Sequence, residues 1–378
     1  MPGTPDDVFS PADSALMREA LALAQRSVGL CEPNPRVGCV IAAADGRVIG
    51  RGHTQQAGAA HAEVMALRDA AGQPLRGGTA YVSLEPCSHH GRTPPCADAL
   101  VAAGLARVVV AVGDPNPLVA GAGIARLRAA GLVVEVGLHE DAARELNIGF
   151  FSRMTRGRPW LRMKVAVSLD GRTALANGVS QWITGEAARA DGHAWRKRGG
   201  AVLTGVGTVL DDDPRLDVRL VETACQPLRV IVDSHLAIRP EARILDAPGA
   251  ALVYAAAPAV DRLAPLQARG VEVALAPDAN GKVDLLAMLC DLAARGINEL
   301  HVEAGAKLNG SFLRAGLVDE WLVYMAPRLL GSGRDLASFG PLTDLADAVA
   351  LRFHAIDRVG DDLRLLLRPA AGVAGAQR

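Results

Sequence analysis

Pro86-Cys-Ser-His-His-Gly-Arg-Thr-Pro-Pro-Cys96, read together with His61-Ala-Glu63 upstream, decides how the first half of this chain folds. Zinc prefers a tetrahedron of imidazole and thiolate ligands, and a catalytic site uses three protein ligands and leaves the fourth position open. His61, Cys87 and Cys96 supply three. Glu63 sits two residues from the first ligand, near enough to reach a hydrolytic water without binding the metal. Both thiolates are expected near helix starts that follow a strand, where the positive end of the helix dipole favours an anion.

The spacing resembles the zinc nucleobase-deaminase pattern H-x-E followed by P-C-x-x-C, with a departure: eight residues separate the cysteines, from Ser88 to Pro95. Pro94 and Pro95 stiffen the return to Cys96. The intervening His89 and His90 keep an alternative open, a closed structural zinc site with a histidine as fourth ligand.

Outward from this motif, apolar periodicity predicts a helix over 14–27, with Pro11, Asp13 and Ser14 as start signals. Strands follow at 37–41 and 47–49 around an Asp45-Gly46 hairpin turn, then a helix over 61–71. Strands at 79–84, 107–112 and 133–136 and a helix at 124–130 complete an α/β half. The charged segment 153–159, which carries Gly157 and Pro159, marks a seam. The expected domains are therefore 1–152 and 153–378. Beyond the seam, strands are expected at 160–168, 201–204, 228–232, 251–255, 300–303 and 321–327, with helices at 186–198, 284–295 and 308–315. This describes a second α/β domain.

Bulk properties narrow the function. The 378 residues are 50% hydrophobic but only 3% aromatic, so each core must be built mainly of Ala, Val and Leu. Forty basic residues against 41 acidic ones give a net charge of −1, which lacks the footprint of a nucleic-acid binder. A small-molecule substrate is favoured. The longest apolar stretch, 249–260, has the length of a buried core element rather than a membrane span. The acidic, Pro-bearing first residues show no secretory pattern, and six cysteines in so long a chain do not make a disulfide scaffold. A reducing cytoplasm is expected.

The second half is less explicit. Gly205-Val-Gly207 follows a strand but lacks the third glycine of a dinucleotide fingerprint, having Leu210 there, and taken alone such a stretch is more often an ordinary turn. Glu303-Ala-Gly-Ala-Lys-Leu-Asn-Gly310 places a Gly-bearing turn between a strand and a helix, where backbone N–H groups can cradle pyrophosphate. A tight connection with no ligand is its alternative.

Cys31-Glu-Pro-Asn-Pro-Arg-Val-Gly38, His61-Ala-Glu63 and the long cysteine loop resemble the bifunctional deaminase/reductase family of riboflavin biosynthesis. So do Ser168-Leu-Asp-Gly-Arg-Thr173, Ser180-Gln-Trp-Ile-Thr184, Thr208-Val-Leu210 with Asp212-Asp-Pro214, and His301-Val-Glu-Ala-Gly305. The similarity spans residues 12–368. It implies a cytidine-deaminase-like α/β/α domain followed by a dihydrofolate-reductase-like α/β domain. The implied cofactors are Zn2+ and NADPH, and the implied substrates are phosphoribosyl pyrimidines. The first half would deaminate 2,5-diamino-6-(5-phosphoribosylamino)pyrimidin-4-one, with Glu63 moving protons. Asn34 would bind the pyrimidine, His53 would line the pocket, and the loop from His89 to Arg92 would face the phosphate.

In the second half the resemblance implies NADPH contacts from Ala166, Trp182, Thr208, Asp212 and Ser234, and from Gly305, Ala306, Lys307, Leu308, Asn309, Gly310 and Ser311. Ser180, Arg196, Leu216, Arg219 and Glu303 would contact substrate. The two arginines suit a phosphate, which guanidinium forks grip bidentately. Lys164 is a candidate for assisting ribose opening, with Asp170 as an alternative helper. Ser234 and Arg239 would recognise the 2′-phosphate of NADPH. The expected molecule is a homo-oligomeric enzyme with no nucleic-acid or membrane partner. Two rival readings are a nucleoside or nucleic-acid deaminase with an accessory domain, and a non-enzymatic structural-zinc regulator that binds nucleotides.

Overall fold

The structure, a computed structural model, describes residues 9–88 and 94–370. Two compact units divide between Gly157 and Arg158.

The first unit opens with α1 (Pro11–Gln25). Ser10 caps it in a reciprocal box with Asp13, so the helix begins three residues earlier than the apolar pattern alone predicts. Next come β1 (Gly38–Ala42), β2 (Val48–His53), α2 (Ala62–Asp69), β3 (Thr79–Val82), α3 (Cys96–Ala102), β4 (Arg107–Val110), α4 (Ala122–Ala129) and β5 (Val133–Val136). The unit closes with α5 (Glu140–Leu146) and α6 (Ile148–Arg156), two helices that the sequence pattern did not disclose. The strands form one sheet, β2-β1-β3-β4-β5. The β1–β2 pair is the expected Asp-Gly hairpin, β3 is antiparallel to β1, and β4 and β5 continue in parallel.

Small residues set the helix-to-sheet distance. A Cβ on Gly52 would stand 2.1 Å from the Ala62 carbonyl oxygen, and one on Gly50 would stand 2.2 Å from that of Ala66. Only glycine at these strand positions lets α2 lie directly on β2, and that contact fixes where His61 and Glu63 sit. The core is Ala, Val and Leu around Phe150, Tyr81 and Met17, as the aromatic-poor composition requires.

The second unit runs β6 (Trp160–Ser168), β7 (Arg172–Leu175), α7 (Glu186–Arg198), β8 (Ala201–Gly205), α8 (Val206–Asp212), β9 (Leu228–Val232), α9 (Arg243–Asp246), β10 (Ala251–Ala255), α10 (Val260–Ala268) and β11 (Glu272–Leu275). It continues through α11 (Leu285–Ala294), β12 (Glu299–Val302), α12 (Ala306–Arg314), β13 (Glu320–Ala326), β14 (Gly333–Asp335), β15 (Leu351–Val359) and β16 (Asp362–Pro369). Its main sheet has the order β11-β10-β9-β8-β12-β6-β13-β16-β15. Strands β11 through β13 of that order are parallel, and the β15–β16 hairpin is added antiparallel to β13. From β8 the chain moves outward to β9, whereas from β12 it crosses β6 to reach β13. Neighbouring strands whose connections depart in opposite directions leave a crevice at their carboxyl ends, the usual ligand position in such sheets.

A buried ion network anchors the sheet. Arg162, 1% exposed, donates to Glu299 (2.8 Å) and Glu320 (2.5 Å), and Arg368 donates to the same Glu320. Trp195 covers the Arg162 guanidinium at 4.4 Å. Among the described residues, no helix is long and apolar enough to cross a membrane.

Candidate metal centre and dinucleotide crevice

The three ligands predicted from the cysteine loop converge in the first unit. His61 is the N-cap of α2 and Cys96 is the first residue of α3. Cys87 lies on an irregular segment after β3, so the expectation that both thiols sit at helix starts holds for Cys96 alone. The reason is that α3 begins only at Cys96. Their donor atoms lie within 4.8 Å of one another. His61 Nδ1 is 3.6 Å from Cys87 Sγ and 3.4 Å from Cys96 Sγ. A thiolate and an imidazole on one tetrahedral zinc, with bonds of about 2.3 and 2.0–2.1 Å, stand roughly 3.6 Å apart. The residues fit the ion. His89 and His90, the conceivable fourth ligands, lie outside the described residues, as does the loop expected to face the phosphate.

The electrostatics suit a cation. A hydrogen bond from the Cys96 thiol, aided by His61, holds the Cys87 thiol well below its ordinary range, so negative charge is favoured at this pair of sulfurs. The Cys96 backbone N–H also points at Cys87 Sγ, at 3.4 Å. Glu63 is 4% exposed, and burial followed by the neighbouring Cys87 charge pushes its carboxyl up to about 7. Such a group can both accept and return a proton near neutral pH.

These residues open into a cavity of about 550 Å³, whose walls include Asn34, His61, Glu63 and Cys87. Asn34 is thus placed with the metal ligands. His53 is not among the lining residues: its ring faces Ser27 Oγ (3.3 Å) and Gln55, while Thr54 takes the place on the wall. Asp114, Asn116, Phe150 and Arg153 also line the cavity, and sequence reading passed over all of them. Arg153, the first residue of the expected seam, belongs to α6 and stacks on Phe150 at 5.7 Å. It is the one cationic side chain among the described lining residues.

In the second unit, the predicted residues gather at the carboxyl ends of the parallel strands. Ala166 is on β6, Thr208 and Asp212 on α8, and Ser234 just beyond β9. Residues 306–311 form the start of α12, whose N-cap Gly305 offers its amides no side-chain partner. The turns after β8 and β12 touch: a Cβ on Gly205 would meet Leu308 at 3.1 Å, and one on Gly305 would meet Thr208 Oγ1 at 3.6 Å. Unclaimed amides beside two close glycine turns fit a dinucleotide diphosphate. Trp182 is 58% exposed, stacked with Arg189 at 4.7 Å. Ser234 Oγ accepts from the Val283 amide. Arg239, expected with Ser234 at the 2′-phosphate, lies on the loop between β9 and α9.

Three of the five substrate candidates, Glu303, Arg196 and Arg219, are linked through Asp217 and joined by Lys164. Glu303 receives Arg196 through two nitrogens and stands 3.5 Å from Lys164 Nζ. Although burial opposes its charge, the two cations hold the Glu303 carboxyl well below the usual range. Arg196 spends its third nitrogen on the Asp217 carbonyl oxygen, so its fork is occupied inside the protein. Arg219 is bound to Asp217 Oδ1 and keeps 46% of its side chain exposed. Leu216 is 4% exposed and packs into the core, so that residue can meet a ligand only through its backbone. Ser180 lies half-buried in the segment preceding Trp182. Asp170 braces the loop after β13, accepting from Ser168 Oγ and from the Leu330 and Gly331 amides, and is held down to about 2 chiefly by the Ser168 hydroxyl. That favours Lys164 over Asp170 as the helper. His193, unremarked in the sequence, accepts the Arg219 amide at Nδ1 (3.1 Å).

Residues 159–365 match the family described as RibD C-terminal domain, and residues 10–112 match the cytidine and deoxycytidylate deaminase zinc-binding region. The chain is 47% identical to the riboflavin biosynthesis protein RibD of Escherichia coli K12, over 94% of this chain and 99% of that protein. It is 40% identical to the RibD of Aquifex aeolicus, over 94% and 98%. Among solved structures, Acinetobacter baumannii RibD superposes with a TM-score of 0.87 at 43% identity, covering 95% of this chain and 99% of that one. A Thermotoga maritima diaminohydroxyphosphoribosylaminopyrimidine deaminase/5-amino-6-(5-phosphoribosylamino)uracil reductase gives 0.85 at 33%, with the same coverage.

Proposed function

From the premise that the chain belongs to the RibD family of bifunctional riboflavin-biosynthesis deaminase/reductases, we propose which residues perform each of its two reactions. Residues 1–157 form the zinc-dependent deaminase and 158–378 the NADPH-dependent reductase. The substrates are 2,5-diamino-6-(5-phosphoribosylamino)pyrimidin-4-one and then the uracil that its deamination yields. The observation that carries this reading is the His61, Cys87 and Cys96 donor set, at zinc-ligand separations, with Glu63 in the same cavity.

His61, Cys87 and Cys96 hold the zinc. Zinc, when bound, supplies the Lewis acidity that makes a hydrolytic water reactive near neutral pH. Glu63 takes the proton of the attacking water at its carboxylate and passes it to the ring nitrogen; it then takes the second proton, from the added hydroxyl, and passes it to the leaving amine as ammonia departs. Asn34 orients the pyrimidine, and His53 supports the wall through Thr54. Arg153 supplies positive charge for the substrate phosphate.

In the reductase, Gly305 to Ser311 cradle the diphosphate, Thr208 and Asp212 border it, and Ala166, Trp182 and Ser234 contact the rest of the dinucleotide. Bound NADPH supplies the hydride. Glu303, fixed by Arg196, orients the ribosyl hydroxyls, while Lys164 moves a proton as the ribose opens. Arg219, with Ser180 and the Leu216 backbone, receives the phosphate.

The six free cysteines suit a reducing cytoplasm. A homo-oligomer is supported by β15, which forms the sheet edge and exposes Phe353 (61%) and Ile356 (58%). The test supplies the diaminopyrimidine phosphate with and without NADPH. Ammonia release that needs no dinucleotide, followed by NADPH consumption once it is added, is expected. NADPH consumption without prior ammonia release would overturn the order of steps.

A further inference from the structure

Four backbone N–H groups converge on one carboxylate beside the metal centre. Glu85, two residues before Cys87 and 4% exposed, accepts at Oε2 from Asp114 (3.1 Å) and Gly121 (3.0 Å). At Oε1 it accepts from Gly123 (2.9 Å) and Ile124 (3.1 Å). Gly123 and Ile124 belong to the first turn of α4, whose N-cap Gly121 has no side chain to satisfy the unclaimed amides. Glu85 therefore caps α4 from a distant part of the chain, placing negative charge at the end of the helix that favours it.

Helix α4 in turn touches the elements that carry both sulfur ligands. A Cβ on Gly123 would stand 1.9 Å from the Pro86 carbonyl oxygen, so the helix rests on the peptide leading into Cys87. Arg126 donates through Nη1 to the Ser88 carbonyl oxygen (3.2 Å), just after Cys87. The same guanidinium grips the Asp98 carboxylate at 2.5 and 2.8 Å, two residues beyond Cys96 on α3. Asp114, held by Glu85, begins the segment that supplies Asn116 and Val119 to the cavity wall.

We propose that Glu85 and Arg126 are positioning residues of the deaminase centre, using α4 as a splint that sets the Cys87–Cys96 separation and holds the 114–119 wall in register with it. The inference rests on the zinc-deaminase reading of this site. Glu85 borders the cavity, but both of its carboxylate oxygens are occupied by backbone amides, so it and Arg126 act through the ligand-bearing backbone. The carboxylate is specifically needed because it is acceptor-only, with lone pairs enough for four amides. A glutamine of the same shape would turn its NH2 toward two of those N–H groups, losing two hydrogen bonds and opposing donor to donor.

The test compares the full-length protein with Glu85→Gln, measuring zinc affinity by competition with a chromogenic chelator, alongside steady-state kinetics of both activities. Zinc affinity is expected to fall about 10–100-fold, the usual effect of removing a residue that orients metal ligands. With zinc saturating, KM for the diaminopyrimidine phosphate is expected to rise because the 114–119 wall shifts, while reductase kinetics stay at parental values. Unchanged zinc affinity and KM in the folded variant overturn the proposal. If the parent itself bound no zinc, the underlying site reading would fail instead, so the two failures are distinguishable. Should Glu85→Gln not fold, Arg126→Ala decides: its side chain is 45% exposed, it leaves the core intact, and it is expected to weaken zinc binding several-fold. Unchanged affinity in Arg126→Ala then removes the splint.

Discussion

Replacing Glu63 by glutamine separates the two activities on one chain. The side chain is 4% exposed and sits in the first turn of α2, on the wall of the cavity. Glutamine keeps the side-chain volume and buries no charge, so the fold is expected to survive. Proton transfer is lost, and positioned acid–base groups contribute about 10²–10⁴ in rate. At about 1.4 kcal/mol per factor of ten, the deamination barrier rises by about 3–6 kcal/mol. Glu63 serves both directions of proton movement, so the effect should lie at the upper end. The assay follows ammonia release from the diaminopyrimidine phosphate with zinc saturating. In parallel, NADPH oxidation is followed with the uracil intermediate supplied separately. Deaminase kcat is expected to fall at least 10²-fold, with reductase kcat unchanged. Deamination within tenfold of the parent would refute Glu63 as the proton carrier. Loss of both activities in a folded variant would refute independent sites.

Zinc removal by a chelator should abolish ammonia release and leave NADPH oxidation intact, with activity restored by zinc alone. Arg219→Ala should raise the reductase KM for phosphorylated substrate by roughly 10–100-fold, as expected for a charge-assisted hydrogen bond, while a dephosphorylated substrate loses little. Glu320→Ala removes one of the two carboxylates paired with buried Arg162 and the one that receives Arg368, and should destabilise the second unit by about 3–5 kcal/mol, read from its denaturant midpoint. His193 is held down to about 4 by burial and by the Arg196 and Arg219 charges, against 6.5 when free. Between those values the unfolded chain binds the extra proton, so stability is full above pH 6.5 and declines as pH falls toward 4. His193→Gln should flatten that part of the stability profile.

The metal centre was legible because its chemistry restricts residue type: only a few side chains bind zinc, and they stand close together in the sequence. Strands β6, β9 and β10 and helix α7 were legible through apolar runs and periodicity, and the observed spans of these four match the expected ones. The β15–β16 hairpin was not, because β15 faces outward along most of its length and shows no buried alternation. Helix α10 carries Pro265 inside it, which disguises it. The splint role of Glu85 left no signal: its partners are main-chain amides 29 to 39 residues away, and any residue type but proline can donate those. Arg196 shows another limit of sequence reading. A guanidinium in a phosphate-binding region suggests an anion ligand, yet its partners here are Glu303 and the Asp217 carbonyl.

The placement of β6 has a consequence for how the protein is made. That strand is the first element of the second unit, but its neighbours β12 and β13 are synthesised more than a hundred residues later, and Arg162 finds Glu299, Glu320 and Arg368 only near the chain's end. The first unit, in contrast, has all five of its strands by Val136. During translation the deaminase can therefore mature while the ribosome is still producing the reductase, which must wait in an incomplete, aggregation-exposed state until β16 emerges. A ribosome stalled shortly after the first unit should already display a zinc-competent centre, whereas truncation before β16 should leave nothing able to bind NADPH.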